Sequence, residues 1–296
     1  MKLQYDCIPC LFDRAKFECD LAFGKGNEEA KKRALRELLV FLLEHYEDAP
    51  PSLVGTQRER IIQKFSRRDV FSEIKERSYR TALEILPAAV EFYKSSEDKL
   101  EALMRIAAAA NSMEYGVKDH RFDNETFKRE FRSVLSEKLN SNLAEIRGAF
   151  ERYDKVLYLT DNAGEIIFDV FVANALEGMG KRVVLSPKSA PVLNDATVDE
   201  LRSYEAELRR RGLKIPEVVP SGACIGVCLE EADEAFLRIF WDDSFLILAK
   251  GMGNYEALSE FDEKLEGRLI YVFRAKCEPV ARSVGVRRGE LVARLV

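Results

Sequence analysis

Histidine is nearly absent: His45 and His120 are the two in 296 residues. With no HExxH pair, a hydrolase that holds zinc through several imidazoles is excluded. The six cysteines (Cys7, Cys10, Cys19, Cys224, Cys228 and Cys277) are too few for a disulfide scaffold at this length and are expected as thiols or metal ligands. No apolar run reaches the roughly 18–20 residues that span a bilayer. Met1-Lys2-Leu3-Gln4-Tyr5-Asp6 brings charge where a signal peptide has its apolar stretch. A cytoplasmic protein without a membrane partner is expected. A basic excess is lacking too: 46 Lys and Arg face 51 Asp and Glu, a formal charge of −5, which argues against a nucleic-acid partner.

What is present suits a folded globular chain. A 47% hydrophobic fraction beside 33% charged residues excludes disorder, and the length implies two domains or one large domain with an extension. From about Asp13 to Phe150 apolar residues recur at three and four, as in Leu35, Leu38, Leu39, Leu42 and in Leu100, Leu103, Met104, Ala107, Ala108. That period predicts helices, separated by loops at 24–27, 48–52 and 95–98. After Asp154 the pattern changes. Runs at 155–160, 182–186, 217–219, 244–249 and 268–273 are short, apolar and rich in branched or aromatic residues, as buried strands are. Helical stretches at 165–176, 197–210, 229–240 and 276–283 separate them. The fold class expected is therefore α/β: a Rossmann-like, mostly parallel sheet with helices on both faces, plus an N-terminal all-α helical domain. The domains are read as 1–150, helical, and 151–296, α/β and metal-binding.

Sites in such sheets lie beyond the carboxyl ends of the strands. The first run leads into Thr160-Asp161-Asn162-Ala163-Gly164-Glu165, a turn with a single glycine and two acids. A dinucleotide fingerprint needs more glycine, so no nucleotide cofactor is expected. Asp161 and Asn162 admit two readings: an Asx turn capping the next helix, or oxygen ligands for a hard divalent cation. Asn194-Asp195 stands before the helix that follows the second run, and loops after neighbouring strands converge, so Asp195 can complete such a ligand set or cap its own helix. Lys250-Gly251-Met252-Gly253-Asn254 offers an ammonium, glycine amides and a carboxamide to an anion. Lys276 follows the last run at the same sheet edge. Asn111, after Ala107–Ala110, can reach a cleft. Cys7-Ile8-Pro9-Cys10 reads as a redox pair, a half metal site or packed thiols.

Taken in order, Cys7-x-x-Cys10, Asn111-Ser-Met-Glu114-Tyr-Gly116, Asp161-Asn-Ala-Gly-Glu165, Asn194-Asp-Ala-Thr197, Lys250-Gly-Met-Gly-Asn-Tyr-Glu256 and Lys276-Cys-Glu-Pro279 resemble the motifs of the metal-dependent damage-control phosphatases, formerly domain of unknown function eighty-nine. The resemblance spans nearly the whole chain and points to the stand-alone microbial branch with an N-terminal CxxC. It implies a helical domain on a Rossmann-like domain, one divalent metal (Mg²⁺, Mn²⁺, Co²⁺ or Ni²⁺) on Asp161, Asn162 and Asp195, and phosphate contacts from Lys250 and Asn111. The family often has Asp where this chain has Glu114.

The function expected is metal-dependent hydrolysis of phosphate monoesters of small metabolites, such as sugar phosphates or phosphopantetheine-like compounds. Asp161 and Lys250 carry the catalysis in this reading. Asn111, Glu165, Lys250, Asn254 and Lys276 hold substrate, and Asp161, Asn162 and Asp195 hold metal. Water is the first choice of nucleophile and Asp161 the second, because the acid that phospho-aspartyl enzymes keep two residues on is Ala163 here. The alternatives are methyl transfer from S-adenosylmethionine and a non-enzymatic thiol or metal-binding protein. Substrate, physiological metal and oligomeric state are not legible.

Overall fold

All five apolar runs of the second half become strands of one sheet. The computed structural model describes residues 1–112 and 124–296, and of 124–127 only the backbone. Helices come first: α1 (Cys7–Phe23), α2 (Glu28–His45), α3 (Pro51–Ser66), α4 (Ser72–Ser95), α5 (Lys99–Ser112) and α6 (Asn124–Leu135). Then follow β1 (Leu139–Ser141), α7 (Leu143–Arg152), β2 (Lys155–Leu159), α8 (Ile166–Gly178), β3 (Arg182–Ser186), α9 (Val198–Ser203), α10 (Glu205–Arg210) and β4 (Glu217–Val218). The chain ends with α11 (Glu234–Phe240), β5 (Phe245–Lys250), α12 (Met252–Leu258), β6 (Leu269–Arg274), α13 (Glu278–Ser283) and β7 (Leu291–Leu295). The motif residues Met113, Glu114, Tyr115 and Gly116, and His120, lie outside the described residues. Among the described helices none is long and apolar enough to cross a membrane.

The sheet order is β1-β7-β6-β5-β2-β3-β4. Every pair is parallel except β6 with β7. Strand alternation explains the layers. In β2, β5 and β6, Val156, Tyr158, Leu246, Leu248, Ile270 and Val272 join a core with α4, α5 and α8. Their neighbours Leu157, Leu159, Ile247, Leu269, Tyr271 and Phe273 join a second core with α11, α12 and α13. Both faces are buried, which is why these strands read as unbroken apolar runs. Ala107–Ala110 are fully buried, and their small side chains let α5 lie close against β6, β7 and α8.

Two strands were not anticipated. β7 closes the edge antiparallel to β6, and β1, from the helical half, pairs parallel with β7. The sheet thus crosses the 150/151 line drawn from the sequence, and α4 and α5 share a core with β2 and α8. The predicted 197–210 helix divides at Tyr204, and 229–233 is turn leading to α11. Asp98 caps α5, accepting from the Glu101 amide at 3.0 Å. His45 is exposed and stacks on Phe41 with centroids 4.2 Å apart.

Candidate active site

β2 has β3 on one side and β5 on the other, so the strand order reverses there, and the crevice beyond such a reversal is where ligands bind in open parallel sheets. The loops after β2 and β3 are joined by their own backbones. Ala163 N donates to Asn194 O at 2.8 Å, Ala196 N to Asp161 O at 2.9 Å, and Thr160 N to Ser186 O at 3.2 Å. An isolated antiparallel bridge sets Asn162 opposite Asp195. Asp161, Asn162, Asn194 and Asp195 all line one cavity of about 290 Å³.

Asp161 is held from three sides. Its Oδ2 accepts from Asn111 Nδ2 at 2.8 Å and Asn162 Nδ2 at 2.9 Å, and Gly251 lies so close that a Cβ there would meet Oδ2 at 2.1 Å. Burial pushes its carboxyl well above the ordinary range, and the nearby charges of Glu165 and Asp195 push the same way. Asp195 Oδ2 is buried without a hydrogen bond. The nearest cation, Lys188 Nζ, is 3.7 Å away. Burial raises the Asp195 carboxyl to about 6 against the pull of Lys188 and Lys75.

The Asn162 amide also donates to Glu165 Oε1. With both amide hydrogens on carboxylates, the group it offers a ligand is Oδ1. Two carboxylates and one carboxamide oxygen, with one carboxylate oxygen unpartnered, form a donor set suited to a hard divalent cation. A helix-capping role does not account for Asp195, because the cap of α9 is Thr197, in a reciprocal box with Glu200.

Four of the expected substrate contacts are engaged by the protein's own groups, Asn111 while also lining the cavity. Lys250 Nζ is fully buried, 2.7 Å from both Glu165 Oε2 and Asp169 Oδ1. Burial draws its pKa down, but Asp169 and Glu165 together outweigh that and the net shift is upward. At Asp169 burial wins over Lys250, and the carboxyl rises to about 6. Contact between Lys250 and a phosphate requires one of these acids to release it. Glu165 is likewise enclosed, bound by Lys250, Asn111 and Asn162. Asn111 uses its amide hydrogens on Asp161 and Glu165, and its Oδ1 accepts from Arg274 N at 3.1 Å, so it is a strut across the site. Asn254 donates to Thr160 O and Lys250 O and ties α12 to the ends of β2 and β5.

Lys276 does line the cavity, and no carboxylate lies within ion-pair distance of its ammonium among the described residues. Gly251 does not offer its amide to a ligand either, since its N–H donates to Val272 O. Its φ of +85° and its contact with Asp161 are what require glycine. Gly251→Ala should displace the Asp161 carboxylate and lower kcat about 10²-fold, the scale of an ångström-sized misplacement; steady-state kinetics checks this.

The sequence reading missed the helical side of the cavity. Arg14, Phe17 and Glu18 of α1, Arg58 of α3 and Phe71 line it, together with Cys7, Cys10 and Cys277. Burial raises Cys7 and pushes Cys277 up to about 11, which disfavours the thiolate and so a nucleophilic role. Glu18 Oε1 pairs with Arg58 at 2.6 Å. Beside it Glu59 is pushed up to about 8 by burial and then by Glu18. Between about pH 4.5 and 8 the unfolded chain releases this proton while the folded chain keeps it, so stability falls as pH rises through that window. Glu59→Gln should remove that slope, gaining on the order of 4 kcal/mol relative to wild type by pH 8, measured by urea unfolding at several pH values.

A parallel sheet that gathers carboxylates and a lysine at its switch point is the frame of an enzyme acting on a small anionic ligand. The chain belongs to the damage-control phosphatase ARMT1-like domain family, whose model it matches over residues 3–292. It is 30% identical to a damage-control phosphatase of Archaeoglobus fulgidus over the whole of both chains. It is 29% identical to the damage-control phosphatase PH1575 of Pyrococcus horikoshii, over 99% of this chain and 97% of that one. The crystal structure of PH1575, described as a DUF89 family protein, superposes with a TM-score of 0.85 at 28% identity, covering 100% of this chain and 99% of that chain.

Proposed function

We propose that this chain hydrolyses phosphate monoesters of small metabolites at the cavity beyond β2 and β5, with a divalent cation on Asp161, Asn162 and Asp195. The observation that carries the reading is the backbone junction between the two loops, which brings those three residues to one cavity and leaves Asp195 Oδ2 without a hydrogen bond. When bound, a divalent cation supplies Lewis acidity to a phosphoryl oxygen. The family match replaces the methyl-transfer alternative.

The protein's own groups do the rest. Lys276 meets the outer phosphate oxygens and offsets charge that grows in the transition state. Asn111 and Gly251 fix the rotamer of Asp161, and Lys250 neutralises Glu165 so that the acids beneath the cavity coexist. This clamping favours Asp161 as a ligand over Asp161 as the attacking group, so water is the nucleophile. Leu11, Phe17, Phe71 and Ile74 give the cavity apolar walls. They suit a phosphopantetheine-like ester better than a sugar phosphate, whose hydroxyls need partners.

Chelator-stripped protein assayed on both ester classes, with Mg²⁺, Mn²⁺, Co²⁺ and Ni²⁺ added singly, tests the reading. Activity that appears only with added cation is expected. Full activity in the stripped protein contradicts the metal assignment, and a covalent phosphate on Asp161 in an acid quench contradicts the water route.

A further inference from the structure

Outside that cavity the loop between β4 and α11 carries two thiols and a carboxylate that the reaction does not use. The Sγ atoms of Cys224 and Cys228 and a carboxylate oxygen of Glu231 all lie within 4.8 Å of one another. Cys224 is buried, Cys228 half-buried and Glu231 exposed, so the cluster opens to solvent on one side. Cys224 Sγ is 3.5 Å from Glu231 Oε2. Tetrahedral zinc with Zn–S near 2.3 Å sets its ligands roughly 3.8 Å apart, so closing on an ion asks for movements of about 1 Å.

Charge and softness fit as well. Two thiolates and a carboxylate around a divalent ion leave one negative charge. Arg60 of α3 cancels it: its guanidinium donates to both oxygens of Glu231, to Ala223 O and, at 3.5 Å, to Cys224 Sγ. Each carboxylate oxygen keeps a second lone pair beyond the one Arg60 takes. Sulfur donors select zinc over magnesium or manganese.

We propose that Cys224, Cys228 and Glu231 form a second cation site, separate from the cavity acids, that takes a thiophilic divalent ion of the Zn²⁺ class and braces this loop. The loop bears on the cavity. Ile225 lines it and donates its N–H to Thr56 Oγ1 of α3 at 2.9 Å. Gly226 packs so tightly on Gly253 that a Cβ would meet Gly253 O at 2.2 Å. The Gly226 carbonyl accepts from Lys188, the cation nearest Asp195. The ion is thus structural, holding the wall against which Asp195 and Lys188 are set.

The test titrates reduced, chelator-stripped full-length protein with Co²⁺ and reads the thiolate-to-cobalt charge-transfer absorption, with no substrate present. One saturating band per chain is expected, removed by Zn²⁺, lost in Cys224→Ser and in Cys228→Ser, and retained in Cys7→Ser/Cys10→Ser and in Asp161→Asn. With the cavity site disabled, Zn²⁺ should also raise the melting temperature of Asp161→Asn more than that of Asp161→Asn/Cys224→Ser. Absence of a thiolate band in wild type, or a band that vanishes with Cys7 and Cys10 and survives loss of Cys224, overturns the proposal. Because Asp161 contributes no sulfur, this outcome is independent of the phosphatase reading.

Discussion

Replacing Asp195 by Asn is expected to lower phosphatase turnover at least about 10²-fold while leaving the metal-free protein no less stable than wild type. Burial raises the Asp161 and Asp195 carboxyls, with Glu165 adding to both and Asp195 to Asp161, and Asp195 Oδ2 has no hydrogen bond to lose. Removing this charge therefore removes a burial cost that outweighs the pull of Lys188 and Lys75 in the empty protein, and removes a ligand from the loaded one. The two states are separable by melting. At a cation concentration 100 times Kd, wild type should gain about 2.7 kcal/mol from binding, and Asp195→Asn should gain little. Wild-type turnover in the variant, or an equal gain on adding Mn²⁺, contradicts the ligand role.

Lys250→Met should be the most destabilising of the site variants. The ammonium sits between Glu165 and Asp169 with no exposed surface. A methionine of similar length fills its space and leaves two buried carboxylates without their cation. Breaking a buried ion pair from one side costs roughly 3–5 kcal/mol, although the intact pair need not be worth that much over an apolar replacement. Denaturant unfolding should show a loss in this range. Lys250→Met/Asp169→Asn should recover part of it, because one of the orphaned charges is gone. Activity should also fall, since Glu165 anchors Asn111 and Asn162. Unchanged stability in the single variant contradicts the description of Lys250 as the countercharge beneath the cavity.

Much of the fold was legible in the amino acids because its strands are buried on both faces. KVLYL, RVVLS and FLILAK leave no polar face to confuse with a surface strand or a helix. β1 and β7 escaped for the opposite reason: Leu139–Ser141 is three residues long, and Leu291–Leu295 includes Arg294 and follows the charged 287–290 stretch. The position of the acids was readable, since residues after neighbouring parallel strands converge. Their hydrogen-bond partners were not. Asn111 looked free to meet substrate, yet Asp161, Glu165 and Arg274 engage it, three partners 50 or more residues away. Lys250 could have been placed by parity. It alternates with Leu246 and Leu248, which face α8, so its side chain runs toward Glu165 and Asp169. Arg14 and Arg58 carry no local signal, because a charged residue on a helix is usually solvated; only the packing of α1 and α3 over the sheet edge turns them inward.

The central claim is that Asp161, Asn162 and Asp195 surround a single cation. Anomalous diffraction from crystals soaked in Mn²⁺ tests it most directly. The account predicts a manganese peak in contact with a carboxylate oxygen of Asp161, Oδ1 of Asn162 and a carboxylate oxygen of Asp195, absent from Asp195→Asn crystals treated alike. A cation-dependent enzyme whose manganese peak lies away from these three side chains contradicts it.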